Sequence, residues 1–362
     1  MTKQLHKVFM PDDVNAKIAG VLNSGQLAYG EFTNKFEQGL KNYVGNEFIL
    51  TLSGNSVLFA LDVLDIKQGD EIISSPMSCL MTNQPIAVKG ATVVWADVDP
   101  STGTLTPDDL KSKITSKTKA ILHYHWGGNP GHIDEINEIA NQHGVVVIEE
   151  ASTAFGAEYK NKKIGNTNTS IVCFSFTAVR LPNAVNGFGI AFNNEELYKK
   201  AILKRDFGIN RKEFRDSNGE ISSNCDIKIP GLGLVLDNIS SLVGYSQLSH
   251  IEGLYTKQRE NATKWDAYFN KDNNFKSVGN RLEINPNYWV YSLVSDRRDM
   301  LYQELKNKGF NVSKLHHRND SYGVFKDNQK DVSTRLTGVD EFERTQLNLP
   351  CGWWLEDNDF KF

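Results

Sequence analysis

The sequence predicts an α/β fold with a mostly parallel seven-stranded sheet that is covered by helices on both faces. Seven short segments are almost continuously apolar, as buried strands are, and they cover residues 48–52, 71–75, 92–96, 120–124, 145–148, 170–176 and 189–192. Segments with apolar residues at helical spacing lie between several of them, for example residues 133–143. Strands buried on both faces lose the apolar–polar alternation of half-exposed strands, so this pattern is typical of a parallel sheet flanked by helices.

The two ends of the chain add further elements. Residues 11–45 predict two helices around a turn, and residues 237–269 return to a helical period. The C-terminal part predicts a strand at 288–294, a helix at 298–308 and a strand at 311–314. These patterns predict a large α/β domain over residues 1–240, followed by a linking helix and a small C-terminal α+β domain over residues 241–362.

Composition and charge exclude several classes of function. The 362 residues include 40 basic and 44 acidic side chains, a formal net charge of -4, without the basic excess of a nucleic-acid-binding protein. No apolar run approaches the roughly 20 residues of a membrane helix, and the N-terminus lacks the apolar segment of a signal peptide. We therefore expect a cytoplasmic protein with no nucleic-acid and no membrane partner. The four cysteines and eight histidines are scattered, which predicts no metal site.

Three predicted strands end at residues that could carry chemistry, because ligands bind at the carboxyl ends of parallel strands. Residues 53–56 (Ser-Gly-Asn-Ser) open a helix, which fits either a phosphate site or an ordinary helix cap. Glu149 and Glu150 end another strand, where a carboxylate faces either solvent or a bound cationic group. Ser175 and Arg180 follow a third, as phosphate contacts or as ordinary surface groups. The local pattern alone leaves each pair of alternatives open.

Eight segments of the chain occur in the order expected of one known family. They read SGQLAYGEFTNKFE, TLSGNSVLFAL, PMSCLMTNQPIAVKGATVVWADVD, HWGGNPGHIDEI, VVIEEASTAFGAEYKNKKIG, CFSFTAVRLPN, HHRND and LPCGWW. With them the chain resembles, over nearly its whole length, the DegT/DnrJ/EryC1/StrS sugar aminotransferase family of pyridoxal phosphate (PLP) enzymes. The resemblance implies a fold-type-I aminotransferase fold and a role in nucleotide-sugar biosynthesis, as for surface polysaccharides.

The resemblance places an arginine where the family's chemistry needs a lysine. The lysine that forms the Schiff base with PLP follows the FSF motif by four residues, and this chain has Arg180 there. A guanidinium presents no neutral amine to an aldehyde. The aspartate that pairs with the pyridine nitrogen corresponds to Glu150, and the Gln or His near the ring oxygen corresponds to Thr153. All three positions contact the cofactor in the family. Their different residues imply that this chain uses PLP differently from the family's transaminases, or not at all.

The remaining ligand contacts are also implied by the resemblance. The matched positions are Gly54, Asn55 and Ser175 for the cofactor phosphate, Cys79 and Thr153 for its ring, and Tyr29, His317 and Arg318 for the substrate. The asparagine that a partner subunit usually lends to the phosphate corresponds to Val235. We therefore expect most of the scaffold of the site to be kept, while the residues that act on the cofactor differ.

Three functions remain open from the sequence. The first is a homologue that lacks the PLP lysine, does not transaminate and serves as a partner subunit of an active paralogue, in a homodimer or a heterodimer. The second is a PLP- or PMP-dependent nucleotide-sugar aminotransferase or dehydratase that acts on a keto-sugar. The third is an ordinary aminotransferase whose lysine is Lys160, Lys162, Lys163 or Lys204. A nucleotide sugar is the expected ligand, and PLP or PMP, if bound without the lysine, is held non-covalently.

Overall fold

The computed structural model describes residues 2–279, 281–327, 329–330 and 335–361. The helices in these ranges are α1 (Val14–Ser24), α2 (Glu31–Val44), α3 (Ser56–Val63), α4 (Leu80–Val88), α5 (Pro107–Lys113), α6 (Ile133–His143), α7 (Glu195–Arg205), α8 (Asn238–Gln247), α9 (Ile251–Phe269), α10 (Arg298–Asn307) and α11 (Thr337–Thr345). The strands are β1 (Ile49–Leu52), β2 (Glu71–Ser74), β3 (Thr92–Trp95), β4 (Thr118–Tyr124), β5 (Val146–Glu150), β6 (Glu158–Tyr159), β7 (Lys162–Lys163), β8 (Ile171–Thr177), β9 (Asn186–Phe192), β10 (Lys276–Ser277), β11 (Ile284–Asn285), β12 (Tyr291–Val294), β13 (Gln329–Lys330) and β14 (Gln346–Leu349). None of these helices combines the length and the apolarity that crossing a membrane requires.

The central sheet has the strand order β1-β9-β8-β5-β4-β2-β3-β13. Strand β9 runs antiparallel to both of its neighbours, and the other neighbouring pairs are parallel. The seven strands that the sequence predicts are all present, so the predicted fold class is confirmed. The additional strand β13 pairs over only two residues with β3, which is too short to leave an apolar pattern in a sequence.

Side-chain alternation along the strands gives the sheet two buried faces. On β2 and β3, Ile72 and Val93 belong to one apolar core, whereas their neighbours Ile73 and Val94 belong to another. Helices α3 and α4 contribute to the first core and α6 to the second. Burial on both faces explains why these strands are apolar almost throughout.

Helix α6 shows how the local sequence sets the elements that cover the sheet. Ile133, Ile136 and Ile139 recur at helical spacing and are buried. The helix ends at Gly144, which has a φ of 66°, a left-handed conformation that glycine adopts without strain at a helix terminus. The helix predicted at residues 133–143 is confirmed with the same bounds.

The C-terminal part of the chain has its own apolar core around Trp265, with contributions from β12, β14 and α10. Strands β10, β12 and β14 form a three-stranded antiparallel sheet beside it. The predicted helix and the first predicted strand of this part are found as α10 and β12. The division into domains at residues 240 and 241 stays a prediction.

The strand predicted at residues 311–314 is wrong. Only Ser313 pairs there, through an isolated bridge to Asn348. Two residues later Leu315 has a φ of 54°, which turns the backbone out of an extended course and ends the pairing after one residue. The apolar and polar alternation of this segment reflects Val312, which is buried in the C-terminal core, and not a strand.

Candidate active site

Polar side chains meet at the carboxyl ends of four neighbouring strands, β2, β4, β5 and β8, which are parallel. Tyr124 and Glu150 are the last residues of β4 and β5, and Cys79 precedes α4 in the connection after β2. Arg180 lies in the loop after β8, and charge interactions link it to all three of these side chains. The structure thus brings together Cys79, Glu150 and Arg180, which the sequence predicts as site residues.

The Glu150 carboxylate is buried and only half satisfied. Its Oε1 accepts hydrogen bonds from the backbone N–H of Ser152, at 3.3 Å, and from the Ser152 hydroxyl. Its Oε2 is buried and has no hydrogen-bond partner among the residues that the structure describes. Burial raises the pKa of Glu150, while the Ser152 hydroxyl and the charge of Arg180 act in the opposite direction. One oxygen therefore remains available to a donor that enters the site.

The Arg180 guanidinium is turned into the same region. Its Nε and Nη1 atoms are buried without a hydrogen-bond partner in the described ranges of the chain, and no ion pair within 4.0 Å joins it to Glu150. Its Cζ lies 4.2 Å from the centre of the Trp289 ring, whose Nε1 donates to the carbonyl of Val179 at 2.9 Å. Burial lowers the pKa of Arg180, while nearby Tyr124 and Glu150 act in the opposite direction.

The two hydroxyls predicted to contact the cofactor have local partners. The Thr153 hydroxyl donates to the carbonyl of His125 at 2.7 Å, so its proton is committed to the backbone. The Ser175 and Thr177 hydroxyls are 3.0 Å apart, and Ser175 is buried near the end of β8. Both residues lie where the sequence predicts them, Ser175 on β8 and Thr153 just after β5.

Asn55 acts as a helix cap in the structure. Its side-chain oxygen accepts from the backbone N–H of Leu58 at 2.9 Å, and its amide group donates to the carbonyl of Met81 at 3.0 Å. A Cβ on Gly54 would lie 3.1 Å from the Leu234 side chain, so Leu234 packs closely against the backbone of this turn. The turn is therefore a helix cap, and a phosphate contact from Asn55 would require its side chain to change partners.

The predicted substrate residues lie in three different settings. Tyr29 is 59% exposed, and its hydroxyl donates to the Asn34 side chain at 2.5 Å. His317 is exposed, and its Nδ1 lies 2.7 Å from the Glu343 carboxylate. Neither is in hydrogen-bond contact with the Glu150 and Arg180 pair within the described part of the chain, and their substrate role stays a prediction.

Arg318 is held by carboxylates of its own segment and of α11. Its Nε and Nη2 donate to the two oxygens of Asp320 at 2.7 and 2.6 Å, and its Nη1 donates to Asp340 at 2.5 Å. A guanidinium in such a fork has little capacity left for a further anion. Contact with a substrate phosphate would compete with both aspartates.

Two site residues, Tyr124 and His316, were missed as site candidates in the sequence. The Tyr124 hydroxyl lies 3.3 Å from His316 Nε2. Burial, together with the charge of Arg180, lowers the pKa of His316 to about 4, so its ring is neutral at pH 7. The sequence could have indicated Tyr124, because it ends an apolar strand and ligands bind at such strand ends. For His316 the sequence shows only that it adjoins His317, and not which of the two rings faces the sheet.

The N-terminal segment also reaches Arg180. The His6 ring stacks on Trp289 with 4.3 Å between the ring centres and 17° between the planes. Burial and the charge of Arg180 lower the pKa of His6 to about 4. His6, Thr153, Arg180 and Trp289 line one small cavity of about 30 Å³, which has room for a water molecule. No local pattern predicts this contact, because it joins residues more than a hundred positions apart.

Glu149 faces away from Glu150 and has a full set of partners. It is completely buried, and its Oε2 lies 2.9 Å from Nε2 of His125. The backbone N–H of Gly131 donates to His125 Nδ1 at 3.1 Å, which leaves the proton on Nε2 to bond Glu149. The hydroxyls of Thr167 and Thr169 donate to its other oxygen. Glu149 is thus a structural group, and no metal-binding cluster of His, Cys, Asp or Glu occurs in the described ranges.

Comparison with known proteins gives this geometry a context. Residues 10–361 match the model of the DegT/DnrJ/EryC1/StrS aminotransferase family. The chain belongs to this family. It is similar to the uncharacterized protein MJ1066 of Methanocaldococcus jannaschii, with 32% identity over 255 residues, which are 70% of this chain and 65% of that protein. The matched region thus spans about two thirds of that relative's length.

Solved structures of known and putative sugar aminotransferases have the same fold. The sugar aminotransferase CalS13 of Micromonospora echinospora is 26% identical, with a TM-score of 0.90 over 98% of this chain and 96% of the other. The putative sugar aminotransferase Spr1654 of Streptococcus pneumoniae, solved in its PLP form, is 19% identical, with a TM-score of 0.88 over 99% and 96% of the two chains. A PMP form of that protein has also been solved. These likenesses support the fold-type-I aminotransferase fold of this chain.

Proposed function

We propose that this chain is a family member that does not transfer amino groups by itself and that serves nucleotide-sugar biosynthesis as a partner subunit of a lysine-bearing relative. One observation carries the proposal. The residue four positions after the FSF motif of β8 is Arg180, and its guanidinium interacts electrostatically with Glu150 at the ends of the strands. A family enzyme needs a lysine amine at this place in the chain.

The chemistry of a guanidinium supports this reading. Amino transfer starts from a neutral amine that attacks the cofactor aldehyde and later moves a proton. Burial lowers the pKa of Arg180, and nearby Tyr124, Glu150 and Cys79 act in the opposite direction. A guanidinium is so strongly basic that it keeps its proton in proteins. It offers neither a nucleophile nor a base near neutral pH.

Three of the four candidate lysines have partners elsewhere, and the fourth, Lys162, is exposed on β7. Lys160 lies 2.7 Å from Asp134, and Lys163 lies 2.7 Å from Glu252, both around the β6–β7 hairpin. Lys204, on α7, is 3.0 Å from Asp65. These ion pairs disfavour an ordinary aminotransferase whose lysine has merely moved to one of these positions.

The residues present fit a PLP molecule that is held without a covalent bond. The buried Oε2 of Glu150 lacks a partner, and it is an acceptor of the kind that a protonated pyridine nitrogen requires. The Ser175 hydroxyl and the first turn of α3 offer donors to a phosphate. When bound, PLP supplies a ring that withdraws electrons from a substrate attached to it. The residues of this chain hold and orient that ring.

Exposed apolar side chains, two of them in the same loop as Arg180, support a second subunit as the partner. Val179 and Val185 flank Arg180 in the loop between β8 and β9 and are 42% and 54% exposed. Phe207, just after α7, is 57% exposed. Apolar side chains in such a position favour a protein partner over open solvent. A lysine-bearing paralogue is the partner that we propose, and pairing with a second copy of this chain alone is the alternative that co-expression excludes or supports.

A half-reaction assay tests the proposal. The protein is mixed with PLP and L-glutamate, and conversion of PLP to PMP is followed by absorbance against PLP and L-glutamate without protein. We expect no rate above this background, since no amine activates the aldehyde. Conversion at an enzymatic rate by the wild-type chain would contradict the proposal.

A further inference from the structure

We propose that Glu150 and Arg180 form a charged clamp that holds PLP without a covalent bond and selects it over PMP. The inference rests on the proposed function, in which the aldehyde of the cofactor stays free. Glu150 accepts a hydrogen bond from the pyridine N–H. Arg180 donates to the phenolate and aldehyde oxygens on the far side of the same ring.

The two groups of the clamp, Glu150 and Arg180, carry opposite charges but do not form a hydrogen bond with each other. Glu150 Oε2 and the Nε and Nη1 atoms of Arg180 are all buried and lack hydrogen-bond partners. The two groups feel each other's charge, yet no ion pair within 4.0 Å joins them. Buried polar atoms without partners are costly, so a ligand that donates at one end and accepts at the other stabilises both.

Arg180 has unpaired donors for the oxygens of the ring, whereas the two neighbouring hydroxyls do not. The proton of the Thr153 hydroxyl is used by the carbonyl of His125 at 2.7 Å. The Ser152 hydroxyl donates to Glu150. Thr153 stands where the family has a Gln or His near the ring oxygen, so the guanidinium replaces a contact that this threonine does not make.

The chemistry of the two cofactor forms makes the clamp selective. PLP carries a phenolate oxygen and an aldehyde oxygen on adjacent ring positions, and a planar guanidinium matches such a pair of acceptors. In PMP the aldehyde is replaced by an aminomethyl group, which is cationic at neutral pH and is repelled by Arg180. Both forms present the same pyridine nitrogen to Glu150.

Trp289 and His6 position the guanidinium. The Trp289 ring lies 4.2 Å from Arg180 Cζ and is fixed at its Nε1 by the carbonyl of Val179. His6 stacks on the same ring at 4.3 Å. These contacts hold Arg180 through its planar face and leave its N–H groups free for a ligand.

The test is a direct measurement of PLP and PMP affinities by calorimetry on the full-length protein. We expect the wild type to bind PLP about tenfold or more tightly than PMP, because PLP accepts a charge-assisted hydrogen bond from Arg180 whereas PMP brings a like charge toward it. The R180Q variant should bring the two affinities to within about threefold of each other. The clamp is wrong if the wild type binds PMP as tightly as PLP, if it binds neither, or if R180Q keeps the preference.

Two further variants separate the clamp from a general loss of structure. E150Q should weaken PLP and PMP by a similar factor and keep the preference for PLP, since both forms present the same ring nitrogen. W289A should reduce the preference, and W289F, which keeps an aromatic face, should restore it. Loss of the preference in E150Q, or its persistence in W289A, would contradict the assigned roles. Borohydride reduction of the wild-type complex checks the underlying proposal separately, because a covalent product would refute the proposed function itself.

Discussion

Glu149 and Glu150 are adjacent residues of the same type, and their carboxylates lie on opposite sides of β5. Glu149 is bonded to His125, Thr167 and Thr169, whereas one oxygen of Glu150 has no partner. The alternation of a strand predicts that the two face opposite ways, but not which of them has partners. Those partners come from segments before and after β5, so the local sequence could predict a carboxylate at this strand end and not its role.

His316 and His317, near the C-terminus, are likewise adjacent residues of one type with different partners. His316 contacts Tyr124 and is close to Arg180, while the neighbouring His317 is bonded to Glu343. The resemblance to relatives favoured His317. The structure shows that His316 is the nearer of the two to the Arg180 charge, because it packs against Tyr124 and Trp126.

Replacing His316 with asparagine (H316N) is expected to flatten the pH dependence of stability in mild acid. The pKa of His316 is lowered to about 4 in the fold, against an ordinary 6.5, so the unfolded chain takes up the proton first as the pH falls. The stability that this provides is complete above pH 6.5 and is lost as the pH falls toward 4. The wild type should lose about 1–2 kcal/mol more than H316N between pH 7 and pH 5 in urea unfolding. Equal losses would contradict the assignment.

At the scale of elements, Asp97 joins the end of β3 to the start of α11. Its Oδ2 accepts from the backbone N–H of Gly338 at 2.9 Å, and its Oδ1 accepts from that of Val339 at 2.8 Å. A Cβ on Gly338 would lie 1.9 Å from the carbonyl of Val98, so the helix can approach this closely only with glycine. The apolar pattern predicts β3, but neither α11 nor this contact, which spans 241 residues.

The D97A variant is expected to lower the free energy of unfolding by about 2–4 kcal/mol, because two charge-assisted bonds to the first turn of α11 are lost. D97N is the matched control, since its amide oxygen still accepts one of the two bonds and should give a smaller loss. Urea unfolding followed by far-UV circular dichroism measures both. A D97A protein as stable as the wild type would show that α11 is held by other contacts.

At the scale of the whole molecule, the fold follows from signals that are local in sequence, and the site does not. Each of the seven predicted strands is a short apolar run, and the order of the family motifs implied how they assemble. The site instead combines His6, Glu150, Arg180, Trp289 and His316, which come from most of the length of the chain. Only contacts between distant segments show that Arg180 points inward and that its Nε and Nη1 atoms have no partner.

Co-expression with a tagged, lysine-bearing family member is expected to recover this chain in a mixed complex. We expect exposed Phe207, just after α7, to contribute to the contact, so F207E should reduce the recovery, while M300E, on the exposed face of α10, should leave it unchanged. Both are changes from an apolar residue of similar exposure to glutamate. A chain that forms only homodimers in the presence of the relative would contradict the role as a partner subunit.

The central claim is that Arg180 keeps the cofactor from being bound covalently, and mass spectrometry after borohydride reduction tests it most directly. Wild-type protein and R180K are each incubated with PLP, reduced and digested, and the peptides are searched for a reduced PLP adduct. We predict no adduct on the wild type and one on residue 180 of R180K, because a lysine there restores the amine within reach of the aldehyde. A PLP adduct on any lysine of the wild-type chain, in stoichiometric amount, would contradict the account.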